Sequence, residues 1–248
     1  MNRSLLAALA AAILVAGFGA SAQPVPASVA AAVADAHRPA EDRARDGARK
    51  PAEVVAFSGV KSGDKVVELL PGTGYFTRIF SKIVGPTGHV WALVPDPKSP
   101  FAEPAAAAIA ADPAYGNVSV VVIGPTDMAG LPPLDLVWTS DNYHDLHLPQ
   151  LKLDVVGLDR QWFAALKPGG TLLIIDHVAL PGSPVPETAD KLHRIDPAAI
   201  RQEVESVGFK FDGQSDVLRN PADPHTIAIF DPSIRGHTDQ VVYRFEKP

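Results

Sequence analysis

The sequence predicts an α/β protein built on a mainly parallel sheet. Three observations carry that expectation. Short apolar or β-branched runs alternate with stretches of helical spacing along most of the chain. The run Thr171–Asp176 is apolar at nearly every position, as a strand covered on both faces must be. A Gly-rich turn, Gly72-Thr73-Gly74, separates the first such run from the helical stretch after it.

Gln23–Ala36 is rich in Ala, Pro and Val and reads as a linker running into a short helix. Glu41–Phe57 reads as a polar helix and then, from Pro51, a helix docking through Val54, Val55 and Phe57. Gly59–Gly63 is a turn. Lys65–Leu70 is the first strand, and Tyr75–Val84 its amphipathic helix. Gly85-Pro86-Thr87-Gly88 turns the chain into a second strand, His89–Val94. Glu103–Ala111 is an Ala-rich helix; Val118–Ile123 and Leu134–Thr139 are strands three and four. Leu153–Leu166 is a helix that Lys167-Pro168-Gly169-Gly170 stops, and Thr171–Asp176 is strand five. Pro197–Val207 has Pro at its start and Gly208 at its end, the usual helix asymmetry. Phe209–Val217 and Gln240–Phe245 are final strands with no helix between them, so an antiparallel pairing is expected. Trp91, Trp138 and Trp162 fall in these patterns as core residues.

The 248 residues suit one domain of ordinary size. With 46% hydrophobic and 20% charged residues, a packed core is expected and global disorder is not. The net charge of -6 argues against broad nucleic-acid binding, which needs a basic face. The absence of Cys excludes disulfides, Cys-ligated zinc, iron–sulfur clusters and a cysteine nucleophile. Arg3, the uncharged apolar run Leu5–Gly19 and the small residues Ala20-Ser21-Ala22 follow the order of a secretory signal. The expected organisation is a signal peptide over 1–22, a linker and extension over 23–40, and one domain over 41–248. The apolar run is short for a membrane span, which needs about 20 residues. No stable membrane insertion is therefore expected after cleavage, and the destination is the periplasm or the outside of the cell.

Ligands of open α/β sheets bind beyond the carboxyl ends of the strands, where the strand order reverses. Glu68 and the turn Leu70-Pro71-Gly72-Thr73-Gly74-Tyr75 stand at such an end. Glycines there let a ligand approach the backbone, and the helix N-terminus offers free N–H groups. With these residues the chain resembles the class I S-adenosylmethionine-dependent methyltransferases, and within them a bacterial subgroup carrying export signals. The resemblance extends through Asp42-Arg43, Arg49-Lys50-Pro51, Asn142-Tyr143-His144-Asp145, Leu166–Gly170, Asp176-His177, His193-Arg194-Ile195 and Leu218-Arg219-Asn220-Pro221. It implies a Rossmann-like sheet of seven strands, mostly parallel with the last antiparallel. It also implies S-adenosylmethionine as cofactor, with Glu68, Leu70, Pro71, Gly72, Thr73, Gly74, Tyr75 and Asn142 around it. Asp42-Arg43 and Arg49-Lys50 are then lid candidates, where charge patterning alone gives a solvated helix face.

The chain departs from that family's pattern in three places. Leu70 stands where the loop usually has its first Gly. Val94 and Pro125 stand where acids for the ribose and the adenine are expected. Asp96 and Asp127 each follow two residues later, and residues i and i+2 of extended chain point the same way. They are the substitutes in the cofactor-binding reading; loop carboxylates beside a decayed site are the alternative.

A polar cluster is expected on the same rim: Asp141 to Asp145, His147, Asp176-His177 and His193 to Asp196. Three uses compete. In methyl transfer, His144 or His177 is the base, with Asp145 or Asp176 orienting it, His193 a further catalytic candidate of the cluster and Tyr143 packing on substrate or adenine. In a metal-assisted enzyme, Asp141, His144, Asp145 and His177 are ligands, but no H-E-x-x-H or EF-hand spacing occurs, so no metal is assigned. In a structural role these residues cap helices and tie loops, as Asp196 before Pro197 does. The expected activity is methyl transfer to a small molecule. A non-catalytic ligand-binding protein on the same fold is the alternative, and the acceptor and the oligomeric state stay open.

Overall fold

The computed structural model describes residues 24–95, 105–122, 128 and 130–248. The signal segment 1–22 and the expected cofactor contacts Asp96 and Asp127 lie outside the described residues.

Nine helices are present among the described residues: α1 Ala27–Val33, α2 Ala40–Ala44, α3 Asp46–Arg49, α4 Pro51–Ser58, α5 Tyr75–Val84, α6 Ala105–Ala111, α7 Val155–Ala165, α8 Val185–Leu192 and α9 Pro197–Ser206. Seven strands form one sheet: β1 Lys65–Leu69, β2 His89–Val94, β3 Val118–Val122, β4 Leu134–Ser140, β5 Leu166–His177, β6 Lys210–Ser215 and β7 Gln240–Glu246. Their order is β3-β2-β1-β4-β5-β7-β6. The first five are mutually parallel; β7 is antiparallel to both β5 and β6. The fold is therefore the α/β, seven-stranded class that the alternation of patterns predicts.

The period of two along each strand sorts side chains to the two faces. Val66, Leu136, Trp138, Leu173 and Ile175 enter one core with Val54, Val55, Phe76, Ile79 and Phe80 of α4 and α5. Val67, Val137, Leu172 and Ile174 enter the other, with Leu158 and Trp162 of α7 and Ile200 and Val204 of α9. Helix α5 begins after Gly74, whose φ of 79° suits a residue without Cβ. Its Tyr75, Phe76, Ile79, Phe80 and Ile83 make one buried face. Helices α7 and α9 start at side-chain caps, Asp154 accepting from Gly157 N at 2.9 Å and Asp196 from Ala198 N at 2.9 Å.

The short helix expected in Gln23–Ala36 is α1, whose buried Val29 and Ala32 belong to the first core. Two elements differ from the sequence expectation. Residues Lys167–Gly170 do not stand outside the strand but run within β5: Gly169 N donates to Lys247 O (2.7 Å) and Lys247 N to Gly170 O (2.9 Å). Helix α8 falls where no helix was expected; its Pro186 sits in the first turn, where a missing N–H costs nothing. No helix among the described residues is long and apolar enough to cross a membrane.

Candidate functional site

Strand β1 has β2 on one side and β4 on the other: the chain runs outward from β1 to β2 and β3 and then crosses back to β4, so the strand order reverses at β1. The crevice at its carboxyl end is the place where such sheets take ligands. Glu68 lies one residue before the end of β1 and is 3% exposed. Thr77 Oγ1 of α5 donates to its Oε2 at 2.5 Å. Burial raises its pKa to about 8, against the opposing effects of Thr77 and of the Arg49 and Arg78 charges.

The turn after β1 holds its shape through backbone geometry. Leu70 has φ 48°, Gly72 φ 55° and Gly74 φ 79°. Leu70 thus takes the left-handed conformation that a glycine adopts without strain, at the position where the sequence departs from the family pattern. Asn142 Nδ2 donates toward the Leu69 and Leu70 carbonyls at 3.3 Å each, tying the loop after β4 to the Gly-rich turn. Pro71 is buried beneath that turn. A Cβ on Gly74 would lie 1.9 Å from Ile109 Cδ1 of α6, so a side chain there would have to displace the tip of Ile109.

Residues 38–49 lie across this turn. The buried Arg38 makes a two-pronged pair with Asp46 at 2.9 and 2.7 Å. Tyr75 OH donates to the same carboxylate at 2.5 Å. Arg38, Arg45 and Arg49 place their guanidinium groups 5.2, 5.0 and 4.8 Å from the Tyr75 ring centre. Arg45 also donates to Thr73 Oγ1 at 3.0 Å. Asp42 is buried between Arg45 and Arg78, both at 2.8 Å, and is no solvated helix residue. Arg49 reaches over to Asp141 Oδ2 at the end of β4, 2.5 Å away. Arg38, Arg45 and Asp46 were not singled out in the sequence; mixed charges among alanines carry no spacing that separates a covering segment from a solvated helix.

Asp141, His144, His177 and His193 come together beside the crevice. Asp141 takes φ 63° and accepts from Arg49 and from Gln240 Nε2. Burial opposes ionisation of Asp141, but the paired Arg49 guanidinium outweighs it and holds its pKa below the ordinary carboxylate value. The His177 ring packs 5.9 Å from that of His144, with its Nδ1 2.8 Å from Thr238 Oγ1. Burial lowers its pKa, so His177 is the neutral imidazole of the group. His144 differs. Its Nδ1 lies 2.6 Å from Asp176 Oδ1, its backbone N–H donates to Asp176 Oδ2 at 2.7 Å, and its Nε2 lies 3.2 Å from Asp145 Oδ1. Burial alone would lower its pKa; the two carboxylates overcome this and raise it to about 10. His193 Nδ1 lies 3.4 Å from Asp145 Oδ1.

No family model matches this chain. It is 33% identical over 126 residues to the ubiquinone/menaquinone biosynthesis C-methyltransferase UbiE of Pseudomonas aeruginosa, a stretch covering 49% of this chain and 45% of that one. The protein of the same name from Ectopseudomonas mendocina is 31% identical over 135 residues, covering 53% and 48%. The chain therefore spans about half the length of these relatives. Among solved structures, a SAM-dependent methyltransferase from Aquifex aeolicus superimposes with a TM-score of 0.56 at 19% identity, over 82% of this chain and 98% of that one. An arsenic(III) S-adenosylmethionine methyltransferase from Chlamydomonas reinhardtii gives 0.55 at 18% identity, over 90% and 74%.

The chain has the class I methyltransferase fold. Glu68, Leu70, Pro71, Gly72, Thr73, Gly74, Tyr75 and Asn142 stand together at the carboxyl end of β1 and in the turn after it, with Tyr75 buried and its hydroxyl spent on Asp46. Two site expectations need correction. Tyr143 does not face the crevice: it is fully buried in the second core, and its OH donates to Asp159 Oδ2 (2.9 Å) and Glu203 Oε2 (3.0 Å). His147 turns the same way, 3.1 Å from Glu203. The reason is the 3-10 turn over His144–His147, which sends neighbouring side chains to different sides. In the matching stretch Leu218–Pro221, Arg219 donates to Asp239 at 2.9 Å.

Proposed function

We propose that this protein is an S-adenosylmethionine-dependent methyltransferase acting on a small molecule. The observation that carries the reading is the buried Glu68 at the carboxyl end of the central strand, beside a glycine turn whose Gly72 and Gly74 take positive φ. The residues present suit the cofactor: Glu68 offers a carboxylate to its cationic amine, the N-terminus of α5 offers free N–H groups, and Arg45 and Arg49 offer cations to its carboxylate. When bound, the cofactor supplies an electrophilic methyl group on a sulfonium with a neutral leaving group.

The chain's own residues then have distinct tasks. The 38–49 segment covers the crevice and excludes water. His177, kept neutral by burial, takes the proton of an acceptor OH or NH. Asp141, bridging Arg49 and Gln240 within 3.8 Å of His177 Nε2, fixes that ring beside the crevice. His144, with both ring nitrogens engaged by Asp145 and Asp176, positions its neighbours rather than acting as the base. The N-terminal signal pattern supports a further reading, export to the periplasm, which the mass of the mature protein in cell fractions would test.

Calorimetric titration with S-adenosylmethionine and S-adenosylhomocysteine tests the cofactor. Binding at about micromolar strength, near -8 kcal/mol, that Glu68→Gln weakens at least tenfold is expected. Absence of binding to a folded protein would remove the methyltransferase reading.

A further inference from the structure

We propose that His144, Asp145 and His193 form a site for a divalent first-row transition-metal ion, with Asp176 as the carboxylate that orients it. One ligand atom from each of the three lies within 4.8 Å of the others. The Asp145 Oδ1 atom is 3.2 Å from His144 Nε2 and 3.4 Å from His193 Nδ1. Ligands held at about 2.0–2.2 Å from one ion stand roughly 3–3.5 Å apart, so these spacings need little change.

The second observation is the partner of the other His144 nitrogen. Histidine ligands are usually oriented by a carboxylate on the nitrogen that does not touch the metal. Asp176, fully buried at the end of β5, meets His144 Nδ1 at 2.6 Å and takes the His144 backbone N–H as well. The ring is thereby fixed with Nε2 turned to Asp145 and His193. An ion would displace the proton that Nε2 otherwise shares with Asp145.

The supports are stiff. His144 and Asp145 sit on the 3-10 turn after β4. His193 ends α8 in a left-handed conformation, φ 52°, and its ring packs edge-on against Phe230 at 4.8 Å. The Asp145 and His193 side chains keep 30% and 29% exposure, which leaves one side of the cluster open to water or to an oxygen of a small ligand. Two imidazoles and one carboxylate suit Zn2+, Co2+ or Fe2+ rather than Mg2+ or Ca2+, which prefer all-oxygen shells.

The test uses protein without a His tag, stripped by chelator and titrated with Co2+ by visible absorption and with Zn2+ by calorimetry. One ion per chain is expected, with the intense ligand-field bands of low-coordinate Co2+. Asp145→Asn and His193→Gln should each weaken binding at least tenfold, and Asp176→Asn by about 10–100-fold. His37→Ala, on an exposed surface far along the chain, should change nothing. Circular dichroism of each variant separates lost ligands from lost fold. Lack of stoichiometric binding, binding indifferent to Asp145→Asn and His193→Gln in folded proteins, or equal competition by Mg2+ would each overturn the site. None of these outcomes depends on S-adenosylmethionine being the cofactor.

Discussion

Glu68 shows how one buried side chain links cofactor binding to pH. Its pKa is about 8 in the fold, chiefly through burial, against an ordinary carboxylate value of 4.5. A carboxyl group raised in this way stabilises the fold fully below the ordinary value, and that contribution is lost as pH rises through about 8. A cationic amine at the same place requires the ionised form. Cofactor affinity should therefore rise with pH up to about 8, and binding should release a proton, read as a dependence of the calorimetric heat on buffer ionisation enthalpy. Glu68→Gln should bind weakly and flatten both the affinity profile and the thermal-stability profile between about pH 4.5 and 8. Affinity that falls with rising pH in the natural protein would contradict this account. Arg194 makes a second argument at the same scale. It is fully buried, donates to Val178 O and Ile227 O, and pairs with Asp223 at 2.9 and 3.0 Å. Removing one partner of a buried pair strands the other. Arg194→Ala should cost about 3–5 kcal/mol in urea unfolding. Arg194→Ala combined with Asp223→Ala should cost less than Arg194→Ala alone, because no lone charge remains.

Among the elements, the Gly-rich turn concentrates constraint. Gly74→Ala would put a Cβ against Ile109 at a φ that L-residues rarely adopt. A loss of about 1–3 kcal/mol and of measurable cofactor binding is expected; a variant with natural affinity would show that the turn has room this geometry does not allow. The elements also show what sequence patterns resolve. Strands β1, β2, β4 and β7 and helices α5 and α9 were legible because buried positions repeat at one period and turn residues bracket them. Helix α8 was not, since two prolines and a polar sequence give no apolar stripe. The start of β5 was not, since Lys167-Pro168-Gly169-Gly170 has turn chemistry and is drawn into the sheet by Leu166 pairing with Leu134 of β4 and by Lys247, just past β7, arriving from far along the chain. The site divided in the same manner. Glu68 and the glycines follow from local sequence, whereas the inward rotation of Tyr143 and His147 depends on Asp159 and Glu203. Likewise the clasp of Arg49 on Asp141 joins residues 92 apart, which no local pattern encodes.

For the molecule as a whole, the N-terminal helices act on both stability and access. Val29 and Ala32 of α1 are buried against the sheet's first core, and 38–49 spans the crevice through Arg38, Asp42, Arg45 and Arg49. A chain lacking residues 24–50 should lose at least about 2 kcal/mol from the buried Val29 alone with its neighbours. Its melting temperature should drop by several degrees in calorimetry, and it should release cofactor faster than the intact protein. An unchanged melting temperature would mean that α1 is not held as described. The sheet order carries a different consequence. Strand β7 lies between β5 and β6, and β6 pairs with nothing else in the sheet. A chain emerging from the ribosome therefore carries β5, with its water-averse run Leu172–Ile175, as an open edge through the synthesis of some sixty further residues, and β6 waits unattached. The half of the sheet beyond β5 closes in one late event. During that interval the nascent protein is both most vulnerable to self-association and most readily kept in the extended state by a chaperone.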